Sequence, residues 1–253
     1  MIINPEWSYT RDMTTQLYLA AFVIQTRSDP FKILFCPKII MNSSDARQYA
    51  PATQRNRDPI LQVLQTVLPP QGTVLEISSG TGEHAIYFAP RLSPLWWLPS
   101  DPNPGARASI AAWQQAEPCD RLLPPVNVDA SLSPWSVESQ NPSPEPIVAI
   151  ANINMIHIAP WAACVGLMAG AQRILPSGGV LYLYGPYKQG GQHTAPSNAE
   201  FDASLQARNP EWGVRNLEDV MAIAAQHGFH HHTTVSMPAN NLSVVFRREG
   251  ETV

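Results

Sequence analysis

The sequence is poor in charged residues and has no concentration of positive charge. Asp, Glu, Lys and Arg make up only 14% of the 253 residues, and the net charge is −4 without any basic run. A chain of this kind lacks the surface with which proteins follow a phosphate backbone, so we expect no strong nucleic-acid footprint. The apolar share of 44% is ample for a core, which excludes a wholly disordered chain.

Cysteines are also few, and several kinds of site are missing. Cys36, Cys119 and Cys164 are too widely spaced for a metal motif or a disulfide framework, so we expect a reducing, cytoplasmic setting. The apolar run 17–24 is too short to span a bilayer, and no membrane partner is predicted. The run His230–His232 lacks further clustered ligands, and alternate strand residues face opposite sides, so no metal site is predicted.

The order of the predicted elements indicates the fold class. Residues 1–42 are predicted to be an N-terminal extension that is peripheral or disordered, and residues 43–250 to be one domain. A helix is predicted to start at Asp58 and Pro59, because Asp caps helices and proline suits a first turn. Strands and helices then alternate, which predicts an α/β fold with a parallel sheet and helices on both faces. The apolar segments predict seven strands, at 74–77, 95–101, 125–129, 147–152, 180–184, 229–235 and 242–246.

The stretch 73–85 predicts a strand, a glycine turn and the start of a helix. Gly80 and Gly82 let the backbone turn sharply and approach a ligand closely. The following helix points its free N–H groups at the occupant of the turn, which in such folds is usually a nucleotide. A strand, turn and helix without any ligand would give the same pattern.

The charge of Glu76 distinguishes between candidate ligands. A carboxylate in the first strand would repel a pyrophosphate, but it suits S-adenosylmethionine, which carries an ammonium and a sulfonium and no phosphate. The pattern Glu76-x-Ser78-x-Gly80-x-Gly82 resembles the first motif of class I S-adenosylmethionine-dependent methyltransferases, with Ser78 in place of a glycine. Gly80-x-Gly82-x-x-Ala85 also satisfies the dinucleotide fingerprint, which leaves a nicotinamide-dependent oxidoreductase as an alternative.

Further residues at strand ends fit an adenosine ligand. Asp101 follows the loop by about twenty residues, the spacing at which an acid accepts hydrogen bonds from ribose hydroxyls; alternatively it caps a turn. The resemblance implies that Asp129 and Ala130 lie at the adenine edge, although Asp129 also suits a turn cap. The predicted cofactor-binding residues are Glu76, Ser78, Gly80, Gly82, Asp101, Asp129, Ala130 and Asn152.

From residue 43 to about residue 248 the chain resembles a narrower family of small methyltransferase-like proteins of unknown function. The resemblance implies a doubly wound, Rossmann-like, mostly parallel seven-stranded sheet with the order 3-2-1-4-5-7-6 and helices on both faces. The motifs that carry it are Arg55-Asn56-Arg57, Ser79-Gly80-Thr81-Gly82-Glu83-His84, Pro99-Ser100-Asp101, Asn152 with Ile156-His157, Tyr184-Gly185-Pro186-Tyr187, Ser197-Asn198 with Phe201-Asp202, Trp212-Gly213 with Arg215, and Ala239-Asn240-Asn241.

The expected activity is methyl transfer to a small-molecule acceptor. An acceptor oxygen or nitrogen needs a base, and such groups lie at the carboxyl ends of the strands. His157 and Tyr187 are the candidate catalytic residues, although a lone histidine is also common as a structural hydrogen-bonding group. The predicted acceptor-binding residues, which equally suit bracing of loops, are Tyr184, Asn198, Asp202 and Asn241. Because Ser78 departs from the motif, a non-catalytic S-adenosylmethionine-binding module stays an alternative.

Overall fold

The structure is a computed structural model that describes residues 45–250, so the prediction for residues 1–42 lies outside the described part. Within that part, no helix is long and apolar enough to cross a membrane. The α-helices are α1 (Pro51–Val67), α2 (Glu83–Phe88), α3 (Pro104–Ala116), α4 (Ser136–Ser139), α5 (Trp161–Ile174), α6 (Pro196–Arg208) and α7 (Leu217–Gln226). The strands are β1 (Thr73–Ile77), β2 (Trp96–Ser100), β3 (Ile147–Ile153), β4 (Val180–Gln189), β5 (Gln192–His193), β6 (Arg215–Asn216), β7 (Phe229–Met237) and β8 (Asn241–Arg248).

One mixed sheet organises the domain. Its main path is β2-β1-β3-β4-β8-β7, with β5 and β6 both paired to β4. The pairs among β2, β1, β3 and β4 are parallel, whereas β8 and β7 add an antiparallel hairpin. The predicted α/β, Rossmann-like class is confirmed. The predicted seven-stranded, mostly parallel sheet is wrong in detail, because the described sheet has eight strands of mixed direction and lacks the predicted third strand. The other six predicted strands lie in the predicted order.

The predicted strand at 125–129 is the main error. The segment beside β2 makes only two isolated bridges, Trp97 to Leu122 and Ser100 to Val126. Proline has no N–H to give to a ladder, and the consecutive prolines 124 and 125 lie between the two bridges. Pro99 removes a further donor from β2 itself. The two chains therefore run side by side without forming a continuous pair of strands.

Two apolar layers cover the sheet. One contains Leu75 and Ile77 of β1 and packs against α5 and α7; the other contains Val74 and packs against α1, α2 and α3. Side chains alternate along a strand, so Glu76 lies on the same face as Val74. All five residues of β1 are buried. Each fully buried Leu, Ile or Val side chain contributes about 1.5–3 kcal/mol, which holds the end of β1 and the loop after it in place.

Candidate functional site

The loop between β1 and α2 contains three residues in the left-handed backbone conformation. Ser78, Gly80 and Gly82 have φ values of 58°, 57° and 88°. A Cβ at Gly82 would lie 2.9 Å from Cγ1 of Ile110, so this glycine allows α3 to pack closely. A Cβ at Gly80 would meet no atom within 4 Å, so this glycine faces open space. Ser78 adopts the left-handed conformation at a cost of about 1–2 kcal/mol, which explains why glycine suits this position.

Asp101 joins the end of β2 to the glycine loop. Its Oδ2 accepts a hydrogen bond of 3.0 Å from the Gly80 N–H, and its Oδ1 accepts one of 2.8 Å from the Asn103 N–H. The Ser100 hydroxyl donates to the Glu76 carbonyl at 2.7 Å and strengthens the same junction. The structure thus places Asp101 beside Gly80, and the contact with Asn103 is the turn cap that the sequence left as the alternative. Ribose binding by Asp101 stays a prediction.

Glu76 is a buried carboxylate next to this junction. It is 1% exposed, and its Oε2 accepts a 3.0 Å hydrogen bond from the Trp97 indole N–H. Burial raises the pKa of Glu76 to about 7, with a smaller contribution from the negative charge of Asp101. Hydrogen bonds from Trp97 and Ser79 act in the opposite direction. Among residues 45–250, no cation lies within ion-pair distance of Glu76.

Asn152 lies at the carboxyl end of β3, beside the end of β1. Its Nδ2 donates a 3.0 Å hydrogen bond to the Ile77 carbonyl. Its Oδ1 is buried and has no hydrogen-bond partner within the described part of the chain. A buried acceptor left without a donor costs about 1–3 kcal/mol. This orphaned oxygen fits a ligand that brings a donor to the strand end.

The residues predicted at the adenine edge have local partners. Oδ1 of Asp129 accepts hydrogen bonds from the Ser131 N–H and hydroxyl, at 2.9 and 2.6 Å. Asp129 therefore caps a turn, which was the alternative interpretation. Ala130 is buried against α5, since its carbonyl oxygen would lie 2.1 Å from a Cβ at Gly166. Neither contact involves the glycine loop, and the adenine role of both residues stays a prediction.

A buried polar layer was not predicted as part of the site. Nε2 of His84 lies 2.8 Å from Oδ1 of Asn56. Burial raises the pKa of Tyr184, and the Asn56 side chain acts in the opposite direction. Burial, and secondarily the charge of Arg57, lowers the pKa of His84 to about 3. The layer connects α1, α2 and the middle of β4 on the Glu76 face of the sheet. Asn56 and His84 stood within motifs of the resemblance, but no spacing rule pairs residues 28 positions apart.

Glu83 also contributes to the structure of the site, although the sequence patterns do not predict it. Its Oε2 accepts hydrogen bonds from the Ala50 N–H and from the Thr81 hydroxyl, the latter at 3.1 Å. The Ser109 hydroxyl donates to the Thr81 carbonyl at 2.7 Å and accepts from the Gln48 N–H at 2.8 Å. The segment before α1 is therefore tied directly to the glycine loop and to α3.

His157 and Tyr187 lie together on the opposite face of the sheet from Glu76. His157 is completely buried; its Nδ1 accepts a 3.3 Å hydrogen bond from the Arg215 N–H, and its ring meets that of Tyr187 edge-on at 5.0 Å. Burial, with the charge of Arg215, lowers the pKa of His157 to about 3. Burial raises the pKa of Tyr187 well above its ordinary value. Within residues 45–250, neither His157 Nε2 nor the Tyr187 hydroxyl has a hydrogen-bond partner.

The packing around His157 explains the glycine in the Tyr184-Gly185-Pro186-Tyr187 motif. A Cβ at Gly185 would lie 2.4 Å from Nε2 of His157. The imidazole thus fills the space beside β4 and faces the interior. The structure does not bring His157 or Tyr187 to the glycine loop, and their catalytic role stays a prediction.

Asp202 is an ion-pair centre on α6. Its Oδ2 lies 2.8 Å from Nζ of Lys188 and 3.2 Å from Nε2 of His193, and its Oδ1 accepts a 2.8 Å hydrogen bond from the Val214 N–H. Burial opposes ionisation, but the hydrogen bonds from Lys188 and Val214 hold the pKa of Asp202 below its ordinary value. These contacts fasten the end of β4 and the β5 hairpin to α6.

Asn198 and Asn241 also make bracing contacts. Nδ2 of Asn198 donates 3.0 Å hydrogen bonds to the Thr194 hydroxyl and to the Asn240 carbonyl. Nδ2 of Asn241 donates to the Pro238 carbonyl at 3.0 Å. The alternative interpretation of loop bracing therefore describes their observed contacts, and acceptor binding stays a prediction. In the described part of the chain, no three His, Cys, Asp or Glu side chains are placed to hold a metal ion.

The fold is similar to solved methyltransferase structures at low sequence identity. An O-methyltransferase family protein from Burkholderia thailandensis matches with a TM-score of 0.64 at 14% identity, over 79% of this chain and 58% of that chain. An O-methyltransferase family 2 protein from Planctomyces limnophilus DSM 3776, in complex with apigenin, gives 0.60 at 18%, over 76% and 61%. CalO1, a methyltransferase in calicheamicin biosynthesis in its SAH-bound form, gives 0.58 at 14%, over 76% and 54%.

This chain spans less than two thirds of the length of these structures, and the similarity establishes the fold. A family model gives a separate and more extensive match. The model covers residues 47–248, which is most of the chain and nearly the whole part that the structure describes. The predicted membership of a methyltransferase-like family of unknown function is confirmed. The chain belongs to the family described as "Protein of unknown function (DUF938)".

Proposed function

We propose that this protein is an S-adenosylmethionine-dependent methyltransferase that acts on a small molecule. The observation that carries the proposal is the buried Glu76 carboxylate, which lies beside the glycine loop without a cationic partner among residues 45–250. A buried carboxylate is costly unless a cation or several donors compensate it. The ammonium group of S-adenosylmethionine is such a cation.

Three further features support this cofactor. Gly80 has open space on its side-chain face, which permits close approach of a ligand to the backbone. Asp101 lies at the end of β2 beside this loop and is the proposed acceptor for the ribose hydroxyls. The orphaned Oδ1 of Asn152 is a free acceptor at the end of β3. Asp129 and Ala130 are proposed at the adenine edge, and Ser78 and Gly82 shape the loop.

When bound, S-adenosylmethionine supplies a methyl group on a positively charged sulfur for in-line transfer. The protein's part is then to position both reactants and exclude water. Tyr184, which pairs with Ile153 at the end of β3, is the proposed acceptor contact on β4. His157 and Tyr187 stay candidate catalytic groups. The lowered pKa makes the His157 imidazole a weak base, and the raised pKa keeps the Tyr187 phenol protonated near pH 7, so neither is suited to accept a proton there.

A second candidate function is a non-catalytic S-adenosylmethionine-binding module. The burial of His157 and Tyr187, away from the glycine loop, favours it. A nicotinamide-dependent oxidoreductase is disfavoured, because Glu76 would face the negatively charged pyrophosphate of the cofactor.

Calorimetric titration distinguishes a protein that binds S-adenosylmethionine from a nicotinamide-dependent oxidoreductase. We expect S-adenosylhomocysteine to bind with one site per chain, and Glu76→Ala or Asp101→Ala to weaken binding at least about tenfold, equivalent to about 1.4 kcal/mol. The exposed Glu117→Ala is the matched control for loss of one carboxylate, and its affinity should be unchanged. Binding of NADH without binding of S-adenosylhomocysteine would establish the oxidoreductase instead.

Transfer is tested separately from binding. The protein is incubated with methyl-labelled S-adenosylmethionine and a small-molecule extract, and labelled products are followed by mass spectrometry. At a cofactor concentration below the dissociation constant of the wild type, we expect labelled products with the wild-type protein and at least about tenfold less product with Asp101→Ala. Cofactor binding without any labelled product would favour the non-catalytic module.

A further inference from the structure

A cavity of about 600 Å³ that is open to solvent lies between the start of α5, the end of β4 and one face of α7. Its volume is in the usual range for small-molecule sites. None of the residues predicted to bind the cofactor or the acceptor lines it, so it is separate from the glycine-loop site. Its lining residues are Trp161, Lys188, Val214, Arg215, Asn216, Asp219, Ala222, Ile223 and Gln226.

Arg215 gives this cavity a fixed positive charge. Its Nε donates to the Ile156 carbonyl at 2.8 Å, and its Nη2 donates to the Ala159 and Glu211 carbonyls at 2.6 and 2.8 Å. These neutral acceptors hold the guanidinium in place without cancelling its charge. Within residues 45–250, Nη1 makes no hydrogen bond and no carboxylate forms an ion pair with Arg215. Burial accordingly lowers the pKa of Arg215 from its ordinary value.

The other lining residues define what accompanies the anionic group. The Arg215 guanidinium lies 5.7 Å from the centre of the Trp161 ring, so the pocket presents an aromatic surface next to its positive charge. Val214 and Ile223 add further apolar surface. Lys188 is already paired with Asp202 at 2.8 Å and contributes little free positive charge. Asp219 adds a negative charge, which favours a singly charged ligand over a doubly charged phosphate.

We propose that this cavity is a second ligand site, which binds a small aromatic monocarboxylate at the unpaired Nη1 of Arg215. The carboxylate accepts hydrogen bonds from the guanidinium, and the ring packs against Trp161 and Ile223. Arg215 also donates its backbone N–H to His157 and holds the carbonyl of Ile156, so the site adjoins the turn that follows β3. A ligand in the cavity therefore binds to Arg215, which itself contacts the segment that follows Asn152 in the chain.

Benzoate is the probe for this site, with benzyl alcohol as the uncharged analogue and phenyl phosphate as the dianion. Binding to the full chain is measured by calorimetry and by ligand-observed NMR. We expect benzoate to bind in the millimolar range, corresponding to about 4 kcal/mol, and at least about tenfold more tightly than benzyl alcohol or phenyl phosphate. Saturating S-adenosylhomocysteine should leave benzoate bound, because the two sites do not share residues.

Two variants of α7 locate the binding. Ala222 is exposed and lines the cavity, so Ala222→Phe fills it without removing any hydrogen bond. Ala225 is exposed on the same helix but does not line the cavity, and Ala225→Phe is the matched control. We expect Ala222→Phe to weaken benzoate binding at least about tenfold and Ala225→Phe to leave it unchanged. Asp219→Asn should tighten binding about threefold, because it removes an exposed negative charge that repels the carboxylate only weakly through solvent.

The proposal is overturned if benzoate fails to bind the wild-type chain at millimolar concentration. Equal binding to Ala222→Phe would place the probe elsewhere and would overturn it as well. Displacement of benzoate by S-adenosylhomocysteine would mean that the probe occupies the glycine-loop site. Tighter binding of phenyl phosphate would contradict the proposed charge of the ligand.

Discussion

The free energy of unfolding should depend on pH through Glu76. Its pKa is about 7 in the folded protein, against an ordinary value of 4.5, so the folded state favours the protonated carboxyl. The stabilisation is fully present below pH 4.5 and is lost as the pH rises to 7. The full difference in pKa corresponds to about 3 kcal/mol, and the part lost between pH 5 and pH 8 is about 2–3 kcal/mol.

The substitution Glu76→Gln removes this dependence while keeping the shape of the side chain. The free energy of unfolding of the variant minus that of the wild type should therefore rise by about 2–3 kcal/mol as the pH is raised from 5 to 8. His84 and His157 titrate with the opposite sign, because their folded pKa values of about 3 lie below the ordinary 6.5. The relevant quantity is consequently the difference between the two proteins at each pH, in which the histidine contributions cancel.

The assay is urea unfolding of both proteins at pH 5, 6, 7 and 8, with the exposed Glu117→Gln as the control for loss of one carboxylate. The same Glu76→Gln sample should have lost affinity for S-adenosylhomocysteine at pH 8, since an amide does not pair with an ammonium. A stability difference that is constant within about 0.5 kcal/mol across this range would refute the reasoning. It would mean that Glu76 is not held in the protonated form by burial.

Three further predictions concern the loop and the opposite face of the sheet. Gly82→Ala should destabilise the protein in urea unfolding by about 3 kcal/mol or more, because the new Cβ clashes with Ile110 and the φ of 88° is strained for alanine. Gly80→Ala should cost only about 1 kcal/mol of stability, because its Cβ meets no atom, but it should weaken S-adenosylhomocysteine binding in calorimetry. Ser78→Gly should stay within about 1 kcal/mol of wild type, because relief of backbone strain offsets the added freedom of the unfolded chain; a loss above 2 kcal/mol would contradict this. The wild type should lose stability as the pH falls from 7 to 4.5, because His157 is protonated in the unfolded chain but stays neutral when folded. In His157→Gln this loss of stability should be smaller by about 2–3 kcal/mol. An acid transition that is the same in both proteins would contradict the conclusion that His157 is buried in its neutral form.

Local sequence information was sufficient for the strand, turn and helix around the glycine loop. The apolar run of β1, the glycines and the following helix are adjacent in the chain, so local patterns describe them. The position of Asp101 at the end of β2, next to β1, follows from the alternation of strands and helices, whereas its hydrogen bond to the Gly80 N–H did not follow from the sequence. The consecutive prolines before Val126 lack the N–H donors of a ladder, which outweighs the apolar pattern that predicts the third strand.

Other features depended on contacts that local patterns do not encode. Helix α1 starts at Pro51 rather than at Asp58, and Pro59 lies within it. The N–H of Ala50 bonds to Glu83 of α2, a tertiary contact that fixes the start of the helix seven residues earlier than local capping rules indicate. The burial of His157 similarly depends on Arg215, which lies 58 residues away in the chain. Residues separated in this way share no periodicity that would reveal their pairing.

A crystal structure with S-adenosylhomocysteine tests the central claim most directly. The proposal predicts density beside Gly80, the ribose hydroxyls within about 3 Å of the Asp101 carboxylate, and the ammonium group turned towards Glu76. Density for a pyrophosphate in this loop after soaking with a nicotinamide cofactor, or an ammonium group turned away from Glu76, would contradict it.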